Sequence, residues 1–151
     1  MPITINVAAT LGGLDLLGRD GDRATRQITA DAAHLVQAES MKTAPVGVSG
    51  NSTNAPGDLR RSIDVEGPTG RGGTYLARVG PTVIYARQRE LGGTIYPVRA
   101  KWLRYTKFGQ TVFTSRVYQK PNPYMMRGEV AAVPKIEAVV VARLAAVIAG
   151  S

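Results

Sequence analysis

Apolar residues change their spacing twice along the chain, and the changes divide it into a helix, a β-rich middle and a second helix. Between Asp22 and Met41, Ile28, Ala32, Leu35 and Val36 recur at helical spacing, with Arg23, Arg26, Asp31 and Glu39 mainly on other faces. Asp20 or Asp22 can cap the start of this helix, and Pro45 forbids continuation much past Thr43. Ahead of it, Leu11, Leu14 and Leu17 suit either a short helical turn or an N-terminal arm over residues 1–21. Residues 46–57 are small, polar and turn-forming, and predict a flexible surface loop.

From Leu59 to Tyr118 the period shortens to that of strands. Ile63 and Val65 alternate with Asp64 and Glu66, and the runs Thr74 to Val79 and Thr82 to Arg87 read as two strands joined at Gly80-Pro81. Lys101 to Thr106 and Thr111 to Gln119 flank Lys107-Phe108-Gly109-Gln110, which predicts a hairpin turn. Pro97 suggests an edge or bend. The last stretch, Pro134 to Ala149, predicts a helix that opens on proline, stops at Gly150 and carries Ile136, Val139, Val140, Leu144, Val147 and Ile148 on a broad apolar face. Its other side is mostly alanine and valine, so burial against a neighbouring subunit is as natural as burial within its own domain. The fold class is therefore α+β: an N-terminal helix, a central twisted antiparallel sheet with hairpins, and a C-terminal helix packed on the sheet. One domain spans 1–151.

Length and composition agree with this picture. A chain of 151 residues is the size of one domain and can bury roughly 70% of its unfolded surface. The 17 glycines and nine prolines imply many turns and short strands, and with no cysteine the fold rests on packing alone. No run approaches the ~18 consecutive apolar residues of a membrane span, and the N-terminus lacks the basic start of a signal peptide. The expectation is a soluble protein, without a membrane partner, that stays in the cell that makes it.

Charge raises nucleic acid as a partner. The net charge is +8, and the cations concentrate in the middle: Arg60, Arg61, Arg71, Arg78, Arg87, Arg89, Arg99, Lys101, Arg104, Lys107, Arg116, Lys120 and Arg127, opposed by Asp64, Glu66 and Glu90. In Lys101 to Phe108, the aromatics Trp102, Tyr105 and Phe108 interleave with Lys101, Arg104 and Lys107. Such a string can stack bases and contact phosphates, and a hairpin with aromatics on its core face gives it equally. Lys101, Arg104, Lys107 and Arg116 are the candidates to face nucleic acid or a partner.

Catalytic chemistry leaves no trace. His34 stands alone, and no cluster has metal-ligand spacing. Gly47-Val48-Ser49-Gly50 misses the nucleophile-elbow spacing, and Gly70-Arg71-Gly72-Gly73 reads as a turn rather than a phosphate loop. Acids are few and scattered; Glu90, amid cations, is expected to pair with Arg87, Arg89 or a strand neighbour. No catalytic, cofactor-binding or metal-binding residue is assigned, no cofactor is implied, and the chain is expected not to be an enzyme.

A series of landmarks remains. Ala44-Pro45-Val46 is followed by Gly57-Asp58-Leu59-Arg60-Arg61-Ser62-Ile63, then by Tyr85-Ala86 through Glu90-Leu91-Gly92-Gly93. The basic-aromatic hairpin from Lys101 to Tyr118 and Pro121-Asn122-Pro123-Tyr124 complete it. In order and spacing, over residues 22–149, the series resembles the tailed-bacteriophage neck, head–tail connector or tail-completion family that includes the lambda minor tail protein Z group. The insertion from Gly47 to Pro56 departs from the family's pattern. The resemblance implies a structural virion protein, made in the bacterial cytoplasm, that forms a homo-oligomeric ring of six copies at the head–tail junction. Such a ring completes the tail and joins it to the head. Its partners would be the connector or stopper and the tail terminator, with phage DNA passing through the lumen. Arg60, Ser62, Tyr85, Glu90 and Gly92 match the motif and would be framework or subunit-contact positions. The alternatives are a tail terminator protein and a basic nucleic-acid-binding module.

Overall fold

The structure is a computed structural model and describes residues 5–10, 18–47, 55–107 and 109–149. The chain is α+β: β1 (Ile5–Thr10), α1 (Gly18–Thr43), α2 (Asp58–Arg61), β2 (Ile63–Arg71), β3 (Thr74–Pro81), α3 (Ala86–Leu91), β4 (Gly93–Ile95), β5 (Leu103–Lys107), β6 (Gln110–Thr114), β7 (Val117–Gln119) and α4 (Tyr124–Ala149). All strand pairs are antiparallel. The three-stranded sheet β1-β3-β2 forms the floor of the domain, and β4-β7 and β5-β6 make two small ribbons. The helical turn or arm expected at Leu11 to Leu17, and most of the 46–57 loop, lie outside the described residues.

The first helix runs as its periodicity predicts, four residues longer at its start and two at its end. It is covered on two sides. Ile28, Ala33 and Val36 enter the core with Ile63, Ala77 and Val79 of the sheet, while Ala132 and Met125 of α4 close the same core from above. A helix in this middle position must be slim, and α1 buries Gly21, Ala24, Thr25, Thr29, Ala32, Ala33 and Ser40. The Thr25 and Thr29 hydroxyls lie in this dry layer and donate to the carbonyls of Gly21 and Thr25, each at 2.9 Å, which satisfies them within the helix.

The C-terminal helix runs antiparallel to α1. Thr43 donates to the Tyr124 carbonyl at 2.7 Å, Glu39 takes Lys135, and Asp31 takes Arg143 at 2.8 Å. Gly128 lies against Ser40, and a Cβ built on it would stand 2.5 Å from the Ser40 backbone. The two helices therefore touch backbone to backbone at this point. α4 starts ten residues before Pro134, which is an interior residue and not the helix start that the sequence suggests. Pro134 is exposed, so the carbonyl left without a donor by its ring lies on the water side of the helix.

Two more local expectations are corrected. The segment Thr82 to Arg87 is not a strand: the Thr82 amide donates to the Ser62 carbonyl at 2.9 Å, the ladder ends, and the chain turns into α3. Ile84 there is 98% exposed. Asp22 does not cap its own helix either. Its carboxylate accepts the Gly73 N–H at 2.9 Å and the Tyr75 hydroxyl at 2.7 Å, and so ties α1 to the β2–β3 turn. That turn has positive φ at both Gly72 and Gly73, the conformation of a tight hairpin, in agreement with the turn read from the glycine run.

The Asp22 contact has a pH signature. The Gly73 N–H first, and then the Tyr75 hydroxyl, hold the Asp22 carboxyl below the usual carboxylate range. A carboxyl depressed in the folded state adds stability above its unfolded pKa and loses it as pH falls through the lower folded value. Asp22→Asn should therefore flatten the acid limb of a Tm-versus-pH curve. Identical acid limbs in wild type and variant would show that the contact contributes nothing.

Candidate functional site

The five landmark residues border one core, built around Ala44, Leu59, Ile63, Ala86, Tyr124 and Met125. Arg60 reaches back to the Ala44 carbonyl at 3.5 Å, where α1 ends, and its buried Nε has no partner among the described residues. Ser62 closes α2 by donating its hydroxyl to the Leu59 carbonyl at 2.8 Å, and its own carbonyl takes Thr82. Tyr85 stands at the start of α3 and is half-buried against the core. Burial, followed by the nearby Asp58 charge, raises its hydroxyl pKa.

Glu90 is the centre of this joint. It is 5% exposed and sits beneath the first turn of α4, where its two oxygens accept the Met125 N–H at 3.0 Å and the Met126 N–H at 3.2 Å. The residue at the helix start is Pro123, which has no side-chain acceptor, so Glu90 supplies a cap from 35 positions away in sequence. A carboxylate there also meets the positive end of the helix dipole. The pairing with Arg87 or Arg89 expected from the sequence is not the contact this side chain makes. Instead the Arg89 and Glu90 carbonyls accept the Asn122 N–H, and this docks the Pro121-Asn122-Pro123 stretch on the end of α3.

Gly92 completes the joint. Its φ is 66°, and a Cβ would meet the Gln119 carbonyl and the Pro121 nitrogen at 2.6 Å. Only glycine allows β4 to leave α3 and pair with β7 so close to the start of α4. Tyr124 is fully buried beside Glu90, its hydroxyl has no partner among the described residues, and burial first, then the Glu90 charge, raises its pKa.

The candidate basic residues lie elsewhere. Arg104 and Lys107 are on β5, Lys101 precedes it and Arg116 follows β6, and all four are exposed. The Lys101 ammonium lies 6.0 Å from the centre of the Trp102 ring. β5 and β6 form the predicted hairpin, in register from Leu103↔Thr114 to Lys107↔Gln110, but the second strand expected from Thr111 to Gln119 is broken: it ends at Thr114, and Val117–Gln119 pairs with β4 instead. Trp102 and Phe113 are 50% and 63% exposed.

Several working residues carry no signal in the sequence. Glu39 is buried and takes both Lys42, at 2.6 Å, and Lys135; these two ammonium groups, Lys135 foremost, keep its carboxyl below the usual range. Gly128 sets the helix approach. The signal that could have found Glu90 as a cap is the missing Ser, Thr, Asp or Asn at the α4 start.

Among the described residues, reacting groups do not converge. His34 is exposed, with Nδ1 3.4 Å from the Gln37 side-chain oxygen. Among the described residues no group of three or more His, Asp or Glu could hold a metal ion, and no helix is long and apolar enough to cross a membrane. A groove of about 270 Å³ beside Tyr85 is lined by Asp58, Gln88, Arg89 and Gln119 among apolar and glycine residues; it pairs no nucleophile with a base. No family model, no curated protein and no solved structure matches the chain.

Proposed function

We propose that the chain is a structural subunit of a tailed-phage particle, assembling as a ring of six copies at the head–tail junction. The role there is to complete the tail and join it to the head, with a connector or stopper and a tail terminator as neighbours. The observation that carries this is α4. It is anchored on one side by Tyr124, Met125, Gly128 and Ala132. On the opposite side it exposes Met126, Val130 and Val133, in steps of four and three residues that form a short apolar stripe, with Val141 on the same side beyond the exposed Glu137. A rigid, well-capped helix with an exposed apolar stripe suits burial against another copy, at about 1.5–3 kcal/mol per aliphatic side chain covered. The landmark residues support the same role, because they build the joint that fixes α4 to the body rather than a reacting centre.

When one surface meets a different surface of the next copy, a rotation that divides the circle evenly closes a ring, and one that does not winds an open filament. Val133→Glu places a charge in the stripe without touching the α1 side. It should dissociate the ring into monomers in size-exclusion chromatography while leaving the far-UV circular dichroism unchanged. A variant that elutes as the wild type does would remove α4 from the subunit contact.

A further inference from the structure

We propose that the β5–β6 ribbon is an arm that binds duplex DNA through its phosphates, without reading sequence. The arm is part of an acid-free region: seven cations and no Asp or Glu lie between Leu91 and Gly128, close to the whole net charge of +8. Outside it the acids lie among the cations, and six of the twelve Lys and Arg residues there form ion pairs: Arg23, Lys42, Arg61, Arg78, Lys135 and Arg143. No ion pair engages Arg99, Lys101, Arg104, Arg116 or Lys120 among the described residues.

The shape suits the same occupant. Among the described residues β5 and β6 pair as strands with each other alone, and a lone two-stranded ribbon is marginal in water unless something covers it. One face presents the directly opposed pair Arg104 and Phe113, next to the opposed pair Thr106 and Thr111. A guanidinium, an aromatic edge and two hydroxyls are groups that meet phosphate and sugar. A two-stranded ribbon also has the width that a major groove admits. Protein interfaces also take arginine and aromatics, but their centres are depleted of lysine and of charge as a whole, whereas DNA-facing surfaces are strongly positive, so a protein partner is the weaker fit. This inference goes beyond the ring and does not depend on it.

The test is fluorescence-anisotropy titration of the full chain with a labelled duplex of ~30 base pairs between ~50 and ~200 mM salt. Each phosphate contact contributes about −0.9 to the log–log salt slope, so K101Q/R104Q/R116Q should be shallower than wild type by about 3 and bind at least ~100-fold more weakly at ~50 mM salt. All three side chains are exposed, so the circular dichroism and Tm of the variant should match wild type. An unchanged slope overturns the proposal. So does preferential binding of single strands that is lost in W102A/F113A, which would make the arm a base-stacking surface. Loss of the oligomer in the triple variant, with DNA binding retained, would assign these cations to subunit contacts and overturn it too. If wild-type protein binds duplex DNA only as a monomer, the arm stands and the ring role fails.

Discussion

Glu90→Ala should lower the Tm by roughly 6–12 °C, because it leaves the Met125 and Met126 N–H groups at the buried start of α4 without an acceptor. An unsatisfied buried donor costs about 1–3 kcal/mol, and the lost interaction with the helix dipole adds to it. A total of about 3 kcal/mol is the central expectation, at 2–4 °C per kcal/mol for a chain of this size. Glu90→Gln keeps an oxygen acceptor and loses the charge, so it should fall between wild type and alanine. The measurement is thermal unfolding at one fixed protein concentration, since assembly shifts the apparent Tm. If Glu90→Ala and wild type melt within about 2 °C of each other, α4 does not depend on this cap.

At Gly128 the sign of the effect is the test. In an ordinary exposed helix, glycine to alanine stabilises by about 1 kcal/mol through backbone entropy. Here the added Cβ would meet the Ser40 hydroxyl and stand 2.5 Å from two backbone atoms of Ser40, so turning the serine side chain away would not yield the space. The helices must separate, and the Thr43–Tyr124 and Glu39–Lys135 contacts across the same seam stretch with them. Overpacking of this kind costs about 1–3 kcal/mol and exceeds the propensity gain. Gly128→Ala should therefore destabilise, and Gly128→Val more so, as read by the denaturation midpoint in urea. An alanine variant more stable than wild type would show that α1 and α4 do not meet at this point.

Much of the fold was legible because its signals are local. α1 announces itself by period, and its end by Pro45. The β2–β3 and β5–β6 turns are marked by glycines that the structure places at positive φ, at Gly72, Gly73 and Gly109. The failures come from contacts between distant residues. The run Val83-Ile84-Tyr85 has strand composition, yet Thr82 ends the ladder at Ser62, and the next residues bury Ala86 and Glu90 as one helical face. Pro134 suggests a helix start because proline favours first turns, but Tyr124, Met125, Gly128 and Ala132 already form a buried helical stripe upstream of it. The five landmark positions were legible as a series, whereas the work of Glu90 was not. A lone acid among arginines suggests an ion pair, and only the folded chain brings it under a helix that begins 34 residues later.

The Glu90 and Gly128 variants ask whether α4 is held as described; the ring asks what α4 is held for. Native mass spectrometry of the full chain answers that most directly. A role at the head–tail junction predicts one closed species at six times the 16.1 kDa chain mass, replaced by monomer in Val133→Glu. A wild-type chain that stays monomeric up to its solubility limit would contradict it.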